Sequence, residues 1–586
     1  MTTAPRTASL HYRVEVADIH AHLFRVTLHV EQPAAQQRVS LPVWIPGSYL
    51  VREFSKNLQR LAARQDGRAV AVQQLDKCNW QVECVPSRPL VLSYEVYAFD
   101  NSVRTAWLDV HRGFFNGTSL CLKVHEQESS VHALEIVASK PIANWEVATG
   151  LAPLKAGKRG FGIYLAADYD ELADCPVEMG TFWSAEFKAC GVPHRLVVAG
   201  ASESFDGDRL AADVQRICEA EIRFWHDRKR PPHKNYLFML SAVDDGYGGL
   251  EHRNSTALIA SRRDLPKRGE ARMTDGYVTL LGLVSHEYFH TWNVKHLRPA
   301  EFTHYDYSRE NYTQLLWFFE GFTSYYDDLL LRRCGLIDDG TYLKLLNKTI
   351  NQVLQTPGRD VQAVAQASFD AWVKYYRQDE NTANATVSYY TKGALVALCF
   401  DLTLRAEGRT TLDDVMRALW QRCKAGPMTE ADFAAVLKDL GGRAFTREIA
   451  AWVHGTKELP LQELLQAQGI AVLEEPAQLQ QRLGLRVGET GGSIQIKTVL
   501  RGGAGELAGL AANDEWLGVE VAGTGWRLVK LDDLPLYAGD HKKVTALVAR
   551  DRRLLRLELN LPAAVTTWRL TLRDAARAQP WLASHA

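Results

Sequence analysis

Five consecutive residues, His286-Glu287-Tyr288-Phe289-His290, carry the plainest chemistry in the chain. On a helix, positions four apart share a face, with Cβ atoms about 5–6 Å apart. Two imidazoles so placed can bind one tetrahedral ion, and zinc is the metal expected for them. Glu287 stands one step round the helix, beside the open position of such a metal. A carboxylate there can take a proton from activated water and pass it to a leaving amine. The run before the motif, LLGLV, is apolar, so the helix is expected to be buried. Two histidines and a glutamate on a buried helix need a purpose. The chemistry this points to is metal-assisted hydrolysis with one zinc ion per chain.

Three residues compete for the third ligand position. His296 completes HEYFHTWNVKH, close to the metzincin string HExxHxxGxxH, with Asn293 where glycine stands. Asparagine tolerates a left-handed turn. That class also needs a downstream Met-turn, and the next methionine, Met416, lies in a helical context. Glu310 follows His290 in polar surroundings, YDYSRENYT, that read as a solvated helix start. Glu320 is the lone charge in the apolar stretch LLWFFEGFTSYY. A lone buried carboxylate is costly unless it is paired or bound to metal. Glu320 therefore ranks first, Glu310 second and His296 third. A His, His, Glu set leaves one position open for water, as a catalytic zinc requires. Asn293, Lys295 and Arg298 follow the metal helix as candidates for binding a substrate carboxylate or pairing with acids.

The elements that must position these groups are legible in outline. A chain of 586 residues is too long for one core. Hydrophobic content of 46% and charged content of 23% are ordinary for a globular protein, and a net charge of -1 favours neither nucleic acid nor an anionic membrane as partner. No run approaches the roughly 20 apolar residues that span a bilayer. The nine cysteines are unclustered, which suggests reduced thiols and a cytoplasmic setting. HYRVEV, LFRVTLHV, NWQVEC and LVLSYEVYAF alternate as strands do, so residues 1–168 are expected to be all-β. HRLVVAG and NYLFMLSAV are strand-like, and helical spacing runs from Thr274 to Trp452. Beyond Arg482, short strands return, with helices expected at AGELAGLA and DHKKVTALVAR and a last strand at TTWRLTLR.

These motifs together resemble the glycyl aminopeptidase family of gluzincin metallopeptidases, metallopeptidase family sixty-one. The resemblance rests on HEYFHTWNVKHLRP, WFFEGFTSYY, WIPGSYLVREFSKN at 44–57 and GTKELPLQELL at 455–465, and it covers nearly the whole chain. It implies a multidomain α+β chain: an N-terminal β-sandwich-like domain (1–168), a thermolysin-like, mainly helical catalytic domain (169–470), and a C-terminal PDZ-like β domain (471–586). GGLEH at 248–252 is similar to the GxMEN edge strand of a related aminopeptidase family, which implies that Glu251 binds the substrate's free amine, with Gly248 and Gly249 letting a substrate backbone approach. SYYTKG at 388–393 implies that Tyr390, or failing it Tyr389, donates to the developing oxyanion. In Leu483–Leu561, LGLRV stands where a PDZ carboxylate-binding loop would be, and such a module binds peptides at a sheet edge.

The expected function is a zinc aminopeptidase acting on peptides with free N-termini. The family implies a preference for small first residues, glycine and alanine. The alternatives are an endopeptidase using the same zinc, and a PDZ-type peptide-binding scaffold built on a degenerate peptidase. The presence of His286, His290, Glu287, Glu320 and a candidate tyrosine together argues against the last.

Overall fold

Strand alternation becomes paired strands in the computed structural model, which describes residues 8–227, 230–562 and 566–583. Leu23–Val30 buries every second residue and pairs antiparallel with Leu10–Asp18 on one side and Leu90–Tyr97 on the other. They lie at the centre of an eight-stranded sheet. Two four-stranded sheets share its core; one pairs Gln36–Ser40 with Asn79–Glu83, the other Arg112–Phe115 with Val177–Gly180. Tyr12, Phe24, Leu28, Leu92, Phe114 and Phe115 fill that core, each at 2% exposure or less. Full burial of one such side chain stabilises by about 1.5–3 kcal/mol.

The next sheet positions the chemistry. Its strands are β1 (Trp183–Ala189), β2 (Val192–Ala199), β3 (Tyr236–Val243), β4 (Tyr247–Glu251) and β5 (Ser255–Ser261), in the order β1-β2-β3-β5-β4. β2, β3 and β5 run parallel, and β4 runs antiparallel to β5 at the free edge. β3 is buried over almost its whole length, the pattern of a strand covered on both faces. The crossover from β2 to β3 is helix α1 (Gly207–His226), capped by the Asp206 side chain on the Arg209 amide. Helix α2 (Asp275–Phe289) starts at Thr274, whose hydroxyl accepts from the Tyr277 amide. It is buried on nearly every side, which is why its apolar residues run all round rather than along one stripe. Residues 1–312 with 423–428 form one compact unit, and residues 313–422 with 429–586 form a second.

The second unit is helical first and β later. Its long helices include α3 (Gly321–Arg333), α4 (Asp339–Leu354) and α5 (Thr391–Glu407). α3 and α5 cross with their backbones touching: a Cβ on Gly321 would stand 2.6 Å from the Gly393 Cα. Below the crossing, buried Asp401 accepts from the Tyr325 hydroxyl at 2.6 Å and from Arg405, while Asp413 accepts from Tyr326 and Arg333.

Residues 485–560 form a six-stranded sheet around Ile494, Ile496, Trp516, Val544, Ala546 and Val548. Here one expectation fails. DHKKVTALVAR is not a helix: Lys543–Arg550 is a strand paired on both sides. Val544, Ala546 and Val548 point inward at every second position, and cross-strand pairing overrides a pattern that helical spacing also fits. The short helix lies just upstream, at Leu534–Ala538. The strand Thr566–Leu572 pairs with Ile470–Pro476 instead of joining that sheet. A terminal helix, Ala575–Leu582, follows without having been expected, and its buried Trp581 donates to the Tyr325 hydroxyl at 2.9 Å. None of the described helices is long and apolar enough to cross a membrane.

Candidate active site

The last turn of α2 brings His286 and His290 together as their spacing requires. Their Nε2 atoms are 3.1 Å apart, with the rings nearly perpendicular at 87°. The Nδ1 of His290 lies 2.8 Å from the Asn293 carbonyl. A carbonyl can only accept, so the proton sits on Nδ1 and Nε2 is the ring nitrogen turned toward His286. Two imidazole nitrogens facing one point are a donor pair that suits a metal ion.

The turn after the helix departs from expectation. The left-handed position assigned to Asn293 falls on Val294, at φ +125°. A β-branched residue there is an outlier that costs about 1–3 kcal/mol. Hydrogen bonds from the Val294 amide to the Leu297 carbonyl (2.8 Å) and from the Lys295 amide to the His290 carbonyl (3.0 Å) hold it. His296 donates through Nδ1 to the Thr291 carbonyl at 2.7 Å. Glu310 lies in a half-buried loop, not at a helix start.

Polar contacts fix the back of α2 against rotation. The Tyr288 hydroxyl lies 2.8 Å from His194 Nε2 and 3.2 Å from His233 Nε2. The Ser285 hydroxyl donates to Glu221 at 3.0 Å, and the Trp292 indole donates to His226 at 2.7 Å. Burial pushes His194 down to about 4, so it is neutral at ordinary pH. None of these partners was found from the sequence: they lie 55 to 94 residues from Tyr288 and on other elements, with no local signal to tie them to it.

The edge strand β4 lies over Glu287. A Cβ on Gly249 would stand 2.1 Å from Glu287 Oε1, so only glycine leaves room for this carboxylate. Glu251, two residues on, shares that face of the strand and is 4% exposed. Gly47, at φ +90°, packs on it so closely that a Cβ would stand 2.5 Å from Glu251 Oε1. The His252 amide donates inward to the Ser255 carbonyl. By the alternation of an antiparallel pair, the amide and carbonyl of Gly249 therefore face the free edge.

Beneath β4, Asp174 gathers three groups. It lies 3.3 Å from His252 Nδ1, accepts from the Arg253 amide at 3.0 Å, and pairs with Lys295 Nζ at 3.0 Å. Burial alone would raise the Asp174 carboxyl, but Lys295 and then its other partners hold it far below the usual range. Burial likewise opposes the charge on Lys295, and Asp174 followed by Glu251 outweighs it. Lys295 thus pairs with an acid. Arg298 braces it from behind by donating to the Lys295 carbonyl at 2.8 Å.

In the second unit, Glu320 is 2% exposed and sits between the short helix Leu316–Phe319 and α3. Tyr389 and Tyr390, at the start of α5, stack 4.8 Å apart. Burial pushes the Tyr390 hydroxyl well above a phenol's ordinary value, and the Glu320 carboxylate pushes it further. It stays protonated and can only donate to an oxyanion. His286, His290 and Glu320 make a buried His-His-Glu set of the kind that can hold a metal ion. His296 and Glu310 are outside that set.

Comparison with known proteins supplies the remaining facts. Residues 11–181 match the profile of the peptidase M61 N-terminal domain, and residues 279–396 match that of the M61 glycyl aminopeptidase. A crystal structure of an aminopeptidase N family protein from Idiomarina loihiensis is 36% identical, covers 98% of this chain and 100% of its own, and superposes with a TM-score of 0.93. An M1 zinc metallopeptidase from Deinococcus radiodurans is a distant match, 15% identical over 77% of this chain and 94% of its own, with a TM-score of 0.48. No curated protein matches the chain.

Proposed function

Since this chain belongs to the M61 glycyl aminopeptidase family of metallopeptidases, we propose that it is a zinc aminopeptidase that removes small N-terminal residues, glycine and alanine, from peptides. His286, His290 and Glu320 would hold one zinc, and two imidazoles with a carboxylate are the donors such a site uses. Zinc bound there supplies Lewis-acid polarisation of the scissile carbonyl and lowers the pKa of water. Glu287 takes the proton of the attacking water on its carboxylate and delivers it to the leaving nitrogen. Tyr390 donates its hydroxyl hydrogen to the developing oxyanion. Glu251 receives the substrate's ammonium group.

One observation carries the exopeptidase reading. A single edge strand presents Glu251 two residues from the glycine that meets Glu287. An amine held at Glu251 then lies within about two residues of strand length, roughly 7 Å, of the glycine that meets the proton carrier. Gly47 packs directly against the Glu251 carboxylate, an arrangement that suits a peptide that begins there.

The same reading divides the chain into an N-terminal domain (1–168), a catalytic domain (169–470) and a PDZ-like domain (471–586) able to take a peptide strand. The six-stranded sheet and the short helices at Ala504–Leu507 and Leu534–Ala538 support the last of these.

The test is a panel of alanyl and glycyl peptides, free or N-acetylated, with the parent, Glu287→Gln and Glu251→Ala. Glu287→Gln should lower kcat by about 10²–10⁴-fold while the protein keeps its zinc. Glu251→Ala should raise KM for free peptides. Equal hydrolysis of acetylated and free peptides by the parent would defeat the aminopeptidase reading.

A further inference from the structure

The free edge of β4 is already touched by one side chain that the mechanism does not use. Arg104, from the loop before the strand Ala106–Leu108, donates through Nη2 to the Gly249 carbonyl at 3.1 Å. Its Nη1 stands 3.6 Å from the place of a Cβ on Gly248. Its Nε is buried with no hydrogen-bond partner among the described residues. Nearby arginines are paired differently: Arg112 forms a salt bridge with Glu178, and Arg25 with Glu95. Arg104 has no such carboxylate among the described residues. A guanidinium with five donors, one of them satisfied by a backbone carbonyl, stands on the strand edge that meets the proton carrier.

We propose that Arg104 receives the C-terminal carboxylate of a short substrate, and that the enzyme is tuned to free dipeptides. The inference rests on the reading of Glu251 as the amine anchor. An extended chain advances about 3.3 Å per residue. From Glu251 to Gly249 is two residues, so roughly 7 Å separate the amine anchor from the arginine's partner along the edge. A dipeptide has about that span between its ammonium and its carboxylate, with its one peptide bond between them, beside Glu287. The planar fork of a guanidinium matches a carboxylate and does not match a neutral amide. A longer peptide would carry a neutral carbonyl past Arg104 and lose that pairing. Gly248, which has no side chain, leaves the approach to Nη1 open.

The experiment compares Ala-Ala, Ala-Ala-amide and Ala-Asp-amide with the zinc-loaded full chain, Arg104→Met and Arg104→Lys. The parent should show a kcat/KM for Ala-Ala at least about tenfold above that for Ala-Ala-amide, as expected for a charge-assisted contact. That ratio should fall close to one in Arg104→Met and recover in part in Arg104→Lys. Ala-Asp-amide should track Ala-Ala-amide, because its carboxylate is on a side chain. A parent ratio near one overturns the proposal. So does an Arg104→Met variant that slows acid and amide equally, since that marks the arginine as a mere strut for β4. Ala-Asp-amide matching Ala-Ala would overturn the C-terminal assignment. Fast hydrolysis of N-acetyl-Ala-Ala by the parent would instead remove the amine anchor, whatever the acid-to-amide ratio.

Discussion

At the scale of single residues, the site depends on groups whose roles are set by a few tenths of an ångström. Gly249 has no room for a methyl group without displacing Glu287. Gly249→Ala should therefore cut kcat/KM by about 10²-fold, the size of loss that follows a small misplacement of a catalytic group. Its melting temperature should change little, since the strained contact is the end of one side chain. A Gly249→Ala protein with full activity would show that Glu287 works from another position. Asp174 makes a prediction about stability. Its folded pKa lies below the unfolded value, so its contribution is present above about pH 4 and is lost as pH falls through the folded value. Lys295 is raised, so its share is present below its ordinary value near 10.5 and lost only in stronger alkali. Asp174→Asn leaves Lys295 buried without its partner and should cost about 3–5 kcal/mol at pH 7. Melting measured from pH 7 to pH 3 should fall steeply for the parent and more gently for the variant.

At the scale of elements, the crossing of α3 and α5 explains why Glu320 and Tyr390 each precede a glycine. Gly321 follows Glu320 directly, and Gly393 lies three residues after Tyr390. Each glycine packs on the other's backbone, with Gly393 also 2.7 Å, at a would-be Cβ, from the Trp317 carbonyl. Gly393→Ala must push the helices apart because the obstacle is backbone. The expected loss is 1–3 kcal/mol or more, read as a lower melting temperature, with kcat falling as Tyr390 moves. An unchanged melting temperature would mean the crossing is looser than the contact implies. Element type was readable where periodicity was long and unambiguous. The alternation of LFRVTLHV and the all-round apolarity of α2 left little choice. KVTALVAR fits both periods, and only its two neighbouring strands decide for β. The helix at Ala575–Leu582 gave a weak signal, and its place is set by the docking of Trp581 beside Tyr325.

At the scale of the whole molecule, the metal should connect activity to stability. A ligand that binds only the folded chain stabilises it by RT ln(1 + [L]/Kd), about 4 kcal/mol at a thousandfold excess over Kd. Chelation should abolish hydrolysis and lower the melting temperature, and added zinc should restore both. His290→Ala should melt at the chelated parent's temperature and stay there when zinc is added. A parent whose melting ignores chelator would place the metal elsewhere or nowhere.

The residue types and local spacings were enough to point to the helix of His286 and His290 as the candidate metal site, to the family, and to Glu320 as the glutamate most in need of a partner. A histidine pair four apart on an apolar helix and a lone charge in an apolar run are local facts, and helical geometry turns them directly into positions. The fold decided what depends on chain-distant contacts. Gly47 packing on Glu251, Asp174 gathering Lys295 and His252, His194 and His233 bracing Tyr288, and Arg104 reaching the edge of β4 all join residues 55 to 204 positions apart. No spacing rule links such residues, because their contacts exist only once the sheets and helices have packed. The strain at Val294 belongs to the same class, since the surrounding hydrogen bonds impose a backbone angle that valine by itself would refuse.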